Sequence, residues 1–205
     1  MNGQYNIGDI VLRNWTLVRL IGEGSYGKVF EAKRVDFGEE YSAAVKIVVI
    51  PQKKEQVRDA LSSGMTEESV SEYFLSFVEE LSKEFALMSK LKGDSNIVSY
   101  EDHEVIPHPD GIGWDIIIRM ELLTPFSKVM ETEQMTDEEI ARLGIDICRA
   151  LELCRIHNII HRDIKPDNIF RSDTGHYKLG DFGVARTIDK TEGGLSKNEI
   201  GRAHV

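Results

Sequence analysis

The first 123 residues contain five short runs in which apolar, β-branched or aromatic residues alternate with polar ones or cluster together. Such runs, bounded by glycine, proline and acidic residues, are typical of β-strands. They occupy residues 15–21, 28–32, 41–50, 97–106 and 114–123. Between the third and fourth runs, we expect a charged linker over residues 51–64. The pattern predicts a sheet-rich unit on the N-terminal side of the chain.

Two segments show the three- and four-residue spacing of apolar positions that predicts amphipathic helices. The first covers residues 66–93, with Thr66 as N-cap and Gly93 just past the last turn. The second begins at a capping-box pattern, Thr136-Asp137-Glu138-Glu139, and continues to about residue 157. Short apolar runs at 169–170 and 177–179 then predict a hairpin, and a hinge is expected near residues 121–126.

Composition limits the classes of function. Hydrophobic residues make up 41% and charged residues 29% of the chain, which is typical of a globular protein. The formal net charge of −10 argues against general binding of nucleic acid or of an anionic membrane surface. The two cysteines, Cys148 and Cys154, are six residues apart in a helical pattern, so we interpret them as free thiols in a reducing, cytoplasmic compartment. We expect neither a secretory leader nor a membrane segment.

A glycine motif follows the first predicted strand. Gly22, Gly24 and Gly27 have the spacing G-x-G-x-x-G, which is weak evidence alone because a dinucleotide-binding turn before a helix shares it. Residues 28–32, however, have the composition of a strand. A glycine turn between antiparallel strands lets backbone N–H groups approach phosphate oxygens without interference from Cβ atoms. We therefore predict a phosphate-binding hairpin, with an ordinary glycine-rich hairpin as the alternative.

The densest group of chemically capable residues is His161-Arg162-Asp163-Ile164-Lys165-Pro166-Asp167-Asn168, followed thirteen residues later by Asp181-Phe182-Gly183. Two carboxylates, an amide and an ammonium group suit the task of holding Mg²⁺ and a nucleoside triphosphate beside a hydroxyl nucleophile. The order H-R-D-x-x-x-x-N … D-F-G is long and rarely matched by chance. The chain therefore resembles the eukaryotic-type (Hanks-type) protein kinase family. The lysine at position 165 is typical of the Ser/Thr branch of that family, and the sequence as a whole resembles its bacterial members.

The resemblance implies an α+β, bilobal protein-kinase-like fold with a complete β-rich N-lobe and only the first part of the helical C-lobe. It implies a serine/threonine protein kinase that transfers the γ-phosphate of ATP to protein hydroxyls and uses ATP and Mg²⁺. Asp163 would then be the catalytic base, and Lys165 would neutralise charge on the transferred phosphate. Asn168 and Asp181 would be the metal ligands.

The same resemblance assigns the nucleotide site. Lys46, in an otherwise apolar strand, would contact the phosphates and be oriented by Glu84. Glu79 and Glu80 are rivals for that partner, and a solvated Glu84 is the alternative. The full set of implied nucleotide-binding residues is Gly22, Gly24, Gly27, Val29, Ala44, Lys46, Glu121, Leu123 and Phe170, of which Glu121 and Leu123 would act through hinge backbone groups.

We expect the chain to be divided into three segments. Residues 10–123 would form the N-lobe and hinge, and residues 124–197 a partial C-lobe with two helices, the catalytic loop and the D-F-G motif. Residues 198–205 are interpreted as a non-native tail, because the final residues resemble a translated sequencing adapter.

Two questions stay open at the level of sequence. The segment 52–80 is longer than the family's minimal connection and implies an extended helix or an extra one. Its face with Phe74, Phe77 and Val78 is interpreted as internal packing, with a regulatory partner or dimer surface as the alternative. The alternatives to an active kinase are a pseudokinase, which would be a nucleotide-binding module, and an inactive truncated fragment.

Overall fold

The computed structural model of the chain describes residues 5–24, 27–109, 111–182 and 186–187. The expected tail at 198–205 therefore lies outside the described residues. The N-lobe strands are β1 (Ile10–Val11), β2 (Trp15–Gly24), β3 (Gly27–Asp36), β4 (Glu39–Ile50), β5 (Tyr100–Pro107) and β6 (Trp114–Met120). They form one antiparallel sheet in the order β1-β2-β3-β4-β6-β5. The five predicted strands are confirmed, and β1 is an additional short one.

Two helices, α1 (Lys54–Ser62) and α2 (Glu67–Leu91), connect β4 to β5. The predicted ends of α2 are confirmed. The Ser69 N–H donates to Oγ1 of Thr66 at 3.2 Å, which satisfies one of the unpaired donors of the first turn. Gly93 follows the helix with a φ of 93°, a left-handed conformation that suits glycine.

Helix α1 corrects the expectation of a charged linker over residues 51–64. The Lys53 N–H donates to Oε1 of Gln56 at 3.0 Å and so helps to start the helix. Val57 and Ala60, three residues apart, pack half-buried against the main core. No residue of α1 is fully buried. The apolar stripe is therefore short, and the many charges of the segment concealed it in the sequence.

The two-residue period of β4 sorts its side chains onto two covered faces. Val45 and Ile47 belong to an outer cluster with Trp15. Val48 belongs to the main core, which also contains the buried side of α2. Lys46 alternates with the outer residues and so lies on the same side as Val48, facing the interior between the sheet and α2.

The lower part of the molecule has one long helix and several short strands. Its elements are β7 (Thr124–Pro125), α3 (Phe126–Thr132), α4 (Asp137–Ile156), β8 (Ile159–Ile160), a 3₁₀ turn (Pro166–Asn168), β9 (Ile169–Arg171), β10 (Tyr177–Leu179) and β11 (Arg186–Thr187). β9 and β10 form the predicted hairpin, extended by β7, and β11 pairs with β8. Glu139 and Thr136 form the predicted capping box of α4.

Helix α4 is buried on one flank only. Cys154 is buried, whereas Cys148 is exposed, and both thiols are free. The buried carboxylate of Asp146 accepts a hydrogen bond from the Tyr177 N–H at 2.9 Å and so ties α4 to β10. On another side of the helix, Ile140 is 53% exposed. The architecture is an α+β fold with a curled antiparallel N-lobe sheet and a partial helical C-lobe, and no helix among the described residues is long and apolar enough to cross a membrane.

Candidate active site

The glycines of the motif lie at the facing ends of β2 and β3, where Gly24 pairs with Gly27 and Gly22 pairs with Val29. A strand follows the motif, so the helix that a dinucleotide-binding turn requires is replaced by antiparallel pairing. A side chain at Gly27 would collide with the backbone carbonyl of Ile47, and its φ of 128° also favours glycine. Residues 25 and 26 lie outside the described ranges.

Lys46 lies beneath this hairpin because the β-register pairs it with Val29. Its Nζ is 3.6 Å from Oδ1 of Asp181, and the lysine side chain is only 17% exposed. Among the described residues, Glu84 has no carboxylate oxygen within 4.0 Å of that ammonium group. The structure therefore brings Lys46 to Asp181, whereas the sequence led us to expect a direct contact with Glu84.

Glu84 is nevertheless the buried one of the three candidate carboxylates on α2. Its residue is 7% exposed, while Glu79 and Glu80 are exposed. Burial raises the pKa of Glu84, the nearby charge of Lys46 lowers this pKa, and the charge of Asp181 raises it. The three ionisable groups Lys46, Glu84 and Asp181 thus interact electrostatically between α2 and the sheet.

Asp163 is held by two side chains of its own loop. Lys165 Nζ donates to Oδ2 of Asp163 at 2.8 Å, and Asn168 Nδ2 donates to both the backbone oxygen and Oδ2 at 2.8 Å. The Lys165 hydrogen bond, helped by Asn168, holds the pKa of Asp163 below its ordinary value, against a smaller effect of burial. The preceding residue, Arg162, has a φ of 72°, a strained conformation that is common at functional sites. The loop therefore presents an ionised carboxylate in a fixed position.

His161 is a structural member of this loop. Its Nε2 lies 2.9 Å from the carbonyl oxygen of Gly180, and its Nδ1 accepts the Asp163 N–H at 3.3 Å, which together require the neutral ring protonated at Nε2. The ring packs edge-on against Phe182 at 4.7 Å. Burial lowers the pKa of His161. These contacts tie the Asp163 loop to the segment that carries Asp181.

Asn168 and Asp181 offer oxygen ligands for a metal ion. Asn168 uses its Nδ2 on Asp163, and in the described part of the chain no group donates to its Oδ1. The Gly180 N–H donates to the Asn168 backbone oxygen at 2.9 Å, which keeps Asn168 and Asp181 close together. Asp181 has a φ of 57°, and its side chain is 42% exposed. Because Mg²⁺ prefers carboxylate and amide oxygens, the donor set fits this ion.

The predicted adenine end lies where β6 leaves the sheet. Ala44 of β4 pairs with Met120, the last residue of β6. The next residue, Glu121, donates its N–H to the Ser99 oxygen at 3.1 Å, so its carbonyl is the backbone group left for a ligand. Leu123 follows immediately before β7, and its backbone groups enter no recorded hydrogen bond in the described residues.

Phe170 of β9 connects this end to the segment that carries Asp181. A side chain added to Gly180 would meet the Phe170 ring at 3.0 Å and the Val98 side chain at 2.7 Å. The Phe170 ring therefore packs directly on the residue before Asp181. The contacts above bring Lys46, Glu84 and Asp181 together in a gap between the sheet and the lower part of the molecule, and they tie the Asp163 loop to it.

Comparison with known proteins agrees with this arrangement. The family model for the protein kinase domain matches residues 15–202, which is nearly the whole chain. The chain belongs to the protein kinase domain family. Kinase domains in general use ATP and Mg²⁺.

Several curated kinases are similar to this kinase domain. Cyclin-dependent kinase 20 of Danio rerio is 25% identical over 188 residues, which cover 91% of this chain and 47% of that protein. The carbon catabolite-derepressing protein kinase of Saccharomyces cerevisiae is 24% identical and matches 92% of this chain and 25% of its own length. Serine/threonine-protein kinase AKL1 of the same yeast is 26% identical, and the match covers 83% of this chain and 15% of that protein. The chain spans less than half the length of each.

One polar contact of the kinase domain was missed at the level of sequence. Lys178 Nζ donates to both carboxylate oxygens of Glu121 at 2.8 Å. The two residues are 57 positions apart, so no local spacing relates them. The only sequence signal is that Lys178 interrupts the buried pair Tyr177 and Leu179 within β10.

Proposed function

We propose that this domain is the nucleotide-binding and catalytic part of a serine/threonine protein kinase, which transfers the γ-phosphate of ATP to hydroxyl groups of proteins. The observation that carries the proposal is the hydrogen-bonded group of Asp163, Lys165 and Asn168, close to Asp181 and its ion pair with Lys46. The similarity to serine/threonine-protein kinase AKL1 of yeast supports the serine/threonine class.

In the proposed reaction, Asp163 accepts the proton of the substrate hydroxyl. Because Lys165 and Asn168 keep its pKa low, Asp163 is ionised at neutral pH and orients the O–H group. The hydroxyl oxygen bonds to the γ-phosphorus, the bond from that phosphorus to the bridging oxygen breaks, ADP leaves, and the proton passes to Asp163. A positioned base of this kind contributes about 10²–10⁴-fold to the rate.

The negative charge of the phosphates is met by cations and backbone dipoles. Lys46 faces the gap beneath the glycine hairpin, and Lys165 lies beside Asp163, where the γ-phosphate is transferred. Among the described residues, no atom lies within 4 Å of the position that a Cβ at Gly24 would take, so the backbone there is open to a phosphate group. Mg²⁺, held by Asn168 and Asp181, supplies further neutralisation of phosphate charge when bound.

The alternatives from the sequence are tested by activity. A pseudokinase would bind nucleotide without transferring phosphate, and the presence of Lys46, Asp163, Asn168 and Asp181 argues against it. An inactive fragment is favoured by one observation, the half-exposed apolar flank of α4 at Ile140. Transfer of ³²P from ATP to a protein substrate by the 205-residue chain itself would exclude both alternatives. If the full gene product transfers phosphate but this chain does not, the chain is an inactive fragment.

The proposal also covers location and partners. We place the protein in the cytoplasm of a bacterium, and we keep the division into residues 10–123, 124–197 and a non-native tail at 198–205.

The proposed regulatory partner would contact the α1–α2 segment, where Phe74 and Val78 are buried but Phe77 is 43% exposed and packs edge-on against Tyr73 at 5.2 Å. Replacing Phe77 with Ser should weaken partner binding without loss of stability, and an unchanged affinity would leave internal packing as the explanation.

Calorimetry with ATP tests the proposed site. We expect wild-type protein to bind ATP more tightly with Mg²⁺ than without it, because Asn168 and Asp181 hold the ion against the phosphates. Asp181→Asn should remove most of this metal dependence. Asp173→Asn, in the exposed β9–β10 turn, is the matched control and should preserve it. Binding of ATP that ignores Mg²⁺ would contradict the proposed metal ligands and favour the pseudokinase.

A further inference from the structure

The side chain of Glu121 has no part in the proposed reaction, yet three hydrogen bonds hold it. Lys178 Nζ donates to both of its carboxylate oxygens at 2.8 Å, and the Ser99 N–H also donates to Oε1. The Lys178 and Glu121 side chains are 16% and 25% exposed. Charge-assisted, two-pronged pairs in partly buried places fix geometry as well as adding energy. The first residue of the hinge is therefore rigidly attached to β10.

Strand β10 leads directly to the metal ligand. It ends at Leu179, two residues before Asp181. The Leu179 N–H donates to the Asn96 oxygen at 2.8 Å, and the Leu179 oxygen accepts the Val98 N–H at 2.9 Å. Lys178 thus stands on a strand whose path toward Asp181 is fixed by backbone pairing to residues 96–98.

The same short segment also carries the hinge. Ser99, next to Val98, accepts the Glu121 N–H through its backbone oxygen at 3.1 Å. The backbone links between the hinge and β10 are therefore indirect, since they pass through residues 96–99 or, from β7, through β9. The Glu121–Lys178 ion pair is a direct polar link, and it spans the two elements that carry opposite ends of the proposed nucleotide site.

We propose that the Glu121–Lys178 ion pair is a positioning device that sets the separation between the adenine-binding hinge backbone and Asp181. The inference rests on the proposed nucleotide site. ATP with Mg²⁺ must engage both ends at once, so the two anchors have to be in register before binding, and a small displacement between them costs affinity. Glu121, through its side chain, and Lys178 are positioning residues, because they act through the hinge and β10.

The test compares two ligands by calorimetry. Adenosine engages the hinge end alone, whereas Mg·ATP engages both ends. Lys178→Met removes the ammonium group but keeps an unbranched side chain, and we expect it to lower the affinity for Mg·ATP about tenfold while the affinity for adenosine stays at the wild-type value. Lys178→Arg keeps the cation and should restore most of the Mg·ATP affinity. Glu121→Gln should shift Mg·ATP binding in the same direction as Lys178→Met.

Asp102→Asn is the control, because it disrupts another two-pronged ion pair, that of Asp102 with Arg119 at 2.9 Å, away from the site. It should leave both affinities unchanged. If Lys178→Met lowers the affinities for both ligands equally, the hinge is generally damaged. If it lowers neither affinity, the ion pair has no positioning effect. Either result overturns the inference. Wild-type protein that binds neither ligand would contradict the proposed function itself and the inference with it.

Discussion

Lys46 and Asp163 belong to one proposed site but are held by different kinds of structure. Lys46 is placed by backbone pairing in a sheet that has apolar clusters on both faces. Asp163 is placed by hydrogen bonds from Lys165 and Asn168, in a loop where Arg162 adopts a left-handed conformation. The difference teaches that changes to the apolar side chains of the sheet should alter how much protein is folded, whereas changes to the polar side chains that face the site, in the sheet or in the loop, should alter what the folded protein does.

The most direct test of this comparison is to remove a charged group from the sheet. Lys46→Met should reduce phosphoryl transfer by roughly 10²–10³-fold, because the cation near Asp181 is lost from the place where phosphate charge develops. The melting temperature should stay close to the wild-type value, since register is carried by the backbone. Steady-state transfer of ³²P and thermal melting measure the two effects.

The control for this variant is Lys33→Met, on the neighbouring strand. Lys33 pairs with Glu40 on the exposed surface, away from the gap. Transfer should be unchanged. Equal loss of activity in both variants would show that any change in the sheet disturbs the site, which contradicts the separation of roles.

Removing apolar volume from the sheet should lower stability and leave the activity of the folded protein unchanged. Leu17 is fully buried in the outer cluster, so Leu17→Ala should lower the free energy of unfolding by roughly 2–5 kcal/mol. Denaturant titration measures this loss, and the rate of transfer per folded molecule should not change. Leu20→Ala, at a 41% exposed position of the same strand, should cost about 0.5 kcal/mol or less.

Most of the fold could be predicted because its signals are local. The alternation in residues 41–50 predicted β4, and the three- and four-residue spacing predicted α2 together with its cap at Thr66. The largest exception is α1, which was missed because its apolar stripe contains only Val57 and Ala60 as packed core neighbours. A helix that buries so little is too weakly patterned to be distinguished from a charged linker.

The candidate site was predictable in its members but not in all of its contacts. Motif spacing identified Asp163, Asn168 and Asp181, and the structure places them together. The partner of Lys46 depends on how closely α2 approaches the sheet, which is a property of tertiary packing and not of local sequence. The Glu121–Lys178 contact joins residues 57 positions apart and has no local signal either.

The smallest expected effects are two opposite dependences of stability on pH. Burial raises the pKa of Glu84 above its ordinary 4.5, so the folded state favours the protonated form and Glu84 makes the protein less stable as pH rises above 4.5. Burial lowers the pKa of His161 below its ordinary 6.5, so the folded state favours the neutral ring and His161 makes the protein less stable as pH falls below 6.5.

Melting curves recorded across this pH range separate the two contributions. Relative to Glu84→Gln, wild-type protein should lose stability as pH rises from 4.5; relative to His161→Gln, it should lose stability as pH falls from 6.5. The two difference curves should therefore slope in opposite directions between these values. Slopes of the same sign would mean that one of the two environments has been assigned wrongly.

The central claim is that Asp163 is the catalytic base of a protein kinase, and one assay addresses it most directly. Transfer of ³²P from Mg·ATP to a protein substrate should be measured for the wild-type full-length gene product, for Asp163→Asn, and for Asp167→Asn, which changes an exposed carboxylate in the same loop. We expect Asp163→Asn to lose about 10²–10⁴-fold in turnover while its melting temperature and nucleotide affinity are retained, and Asp167→Asn to stay near wild type. Turnover in Asp163→Asn equal to that of the wild type would contradict the account.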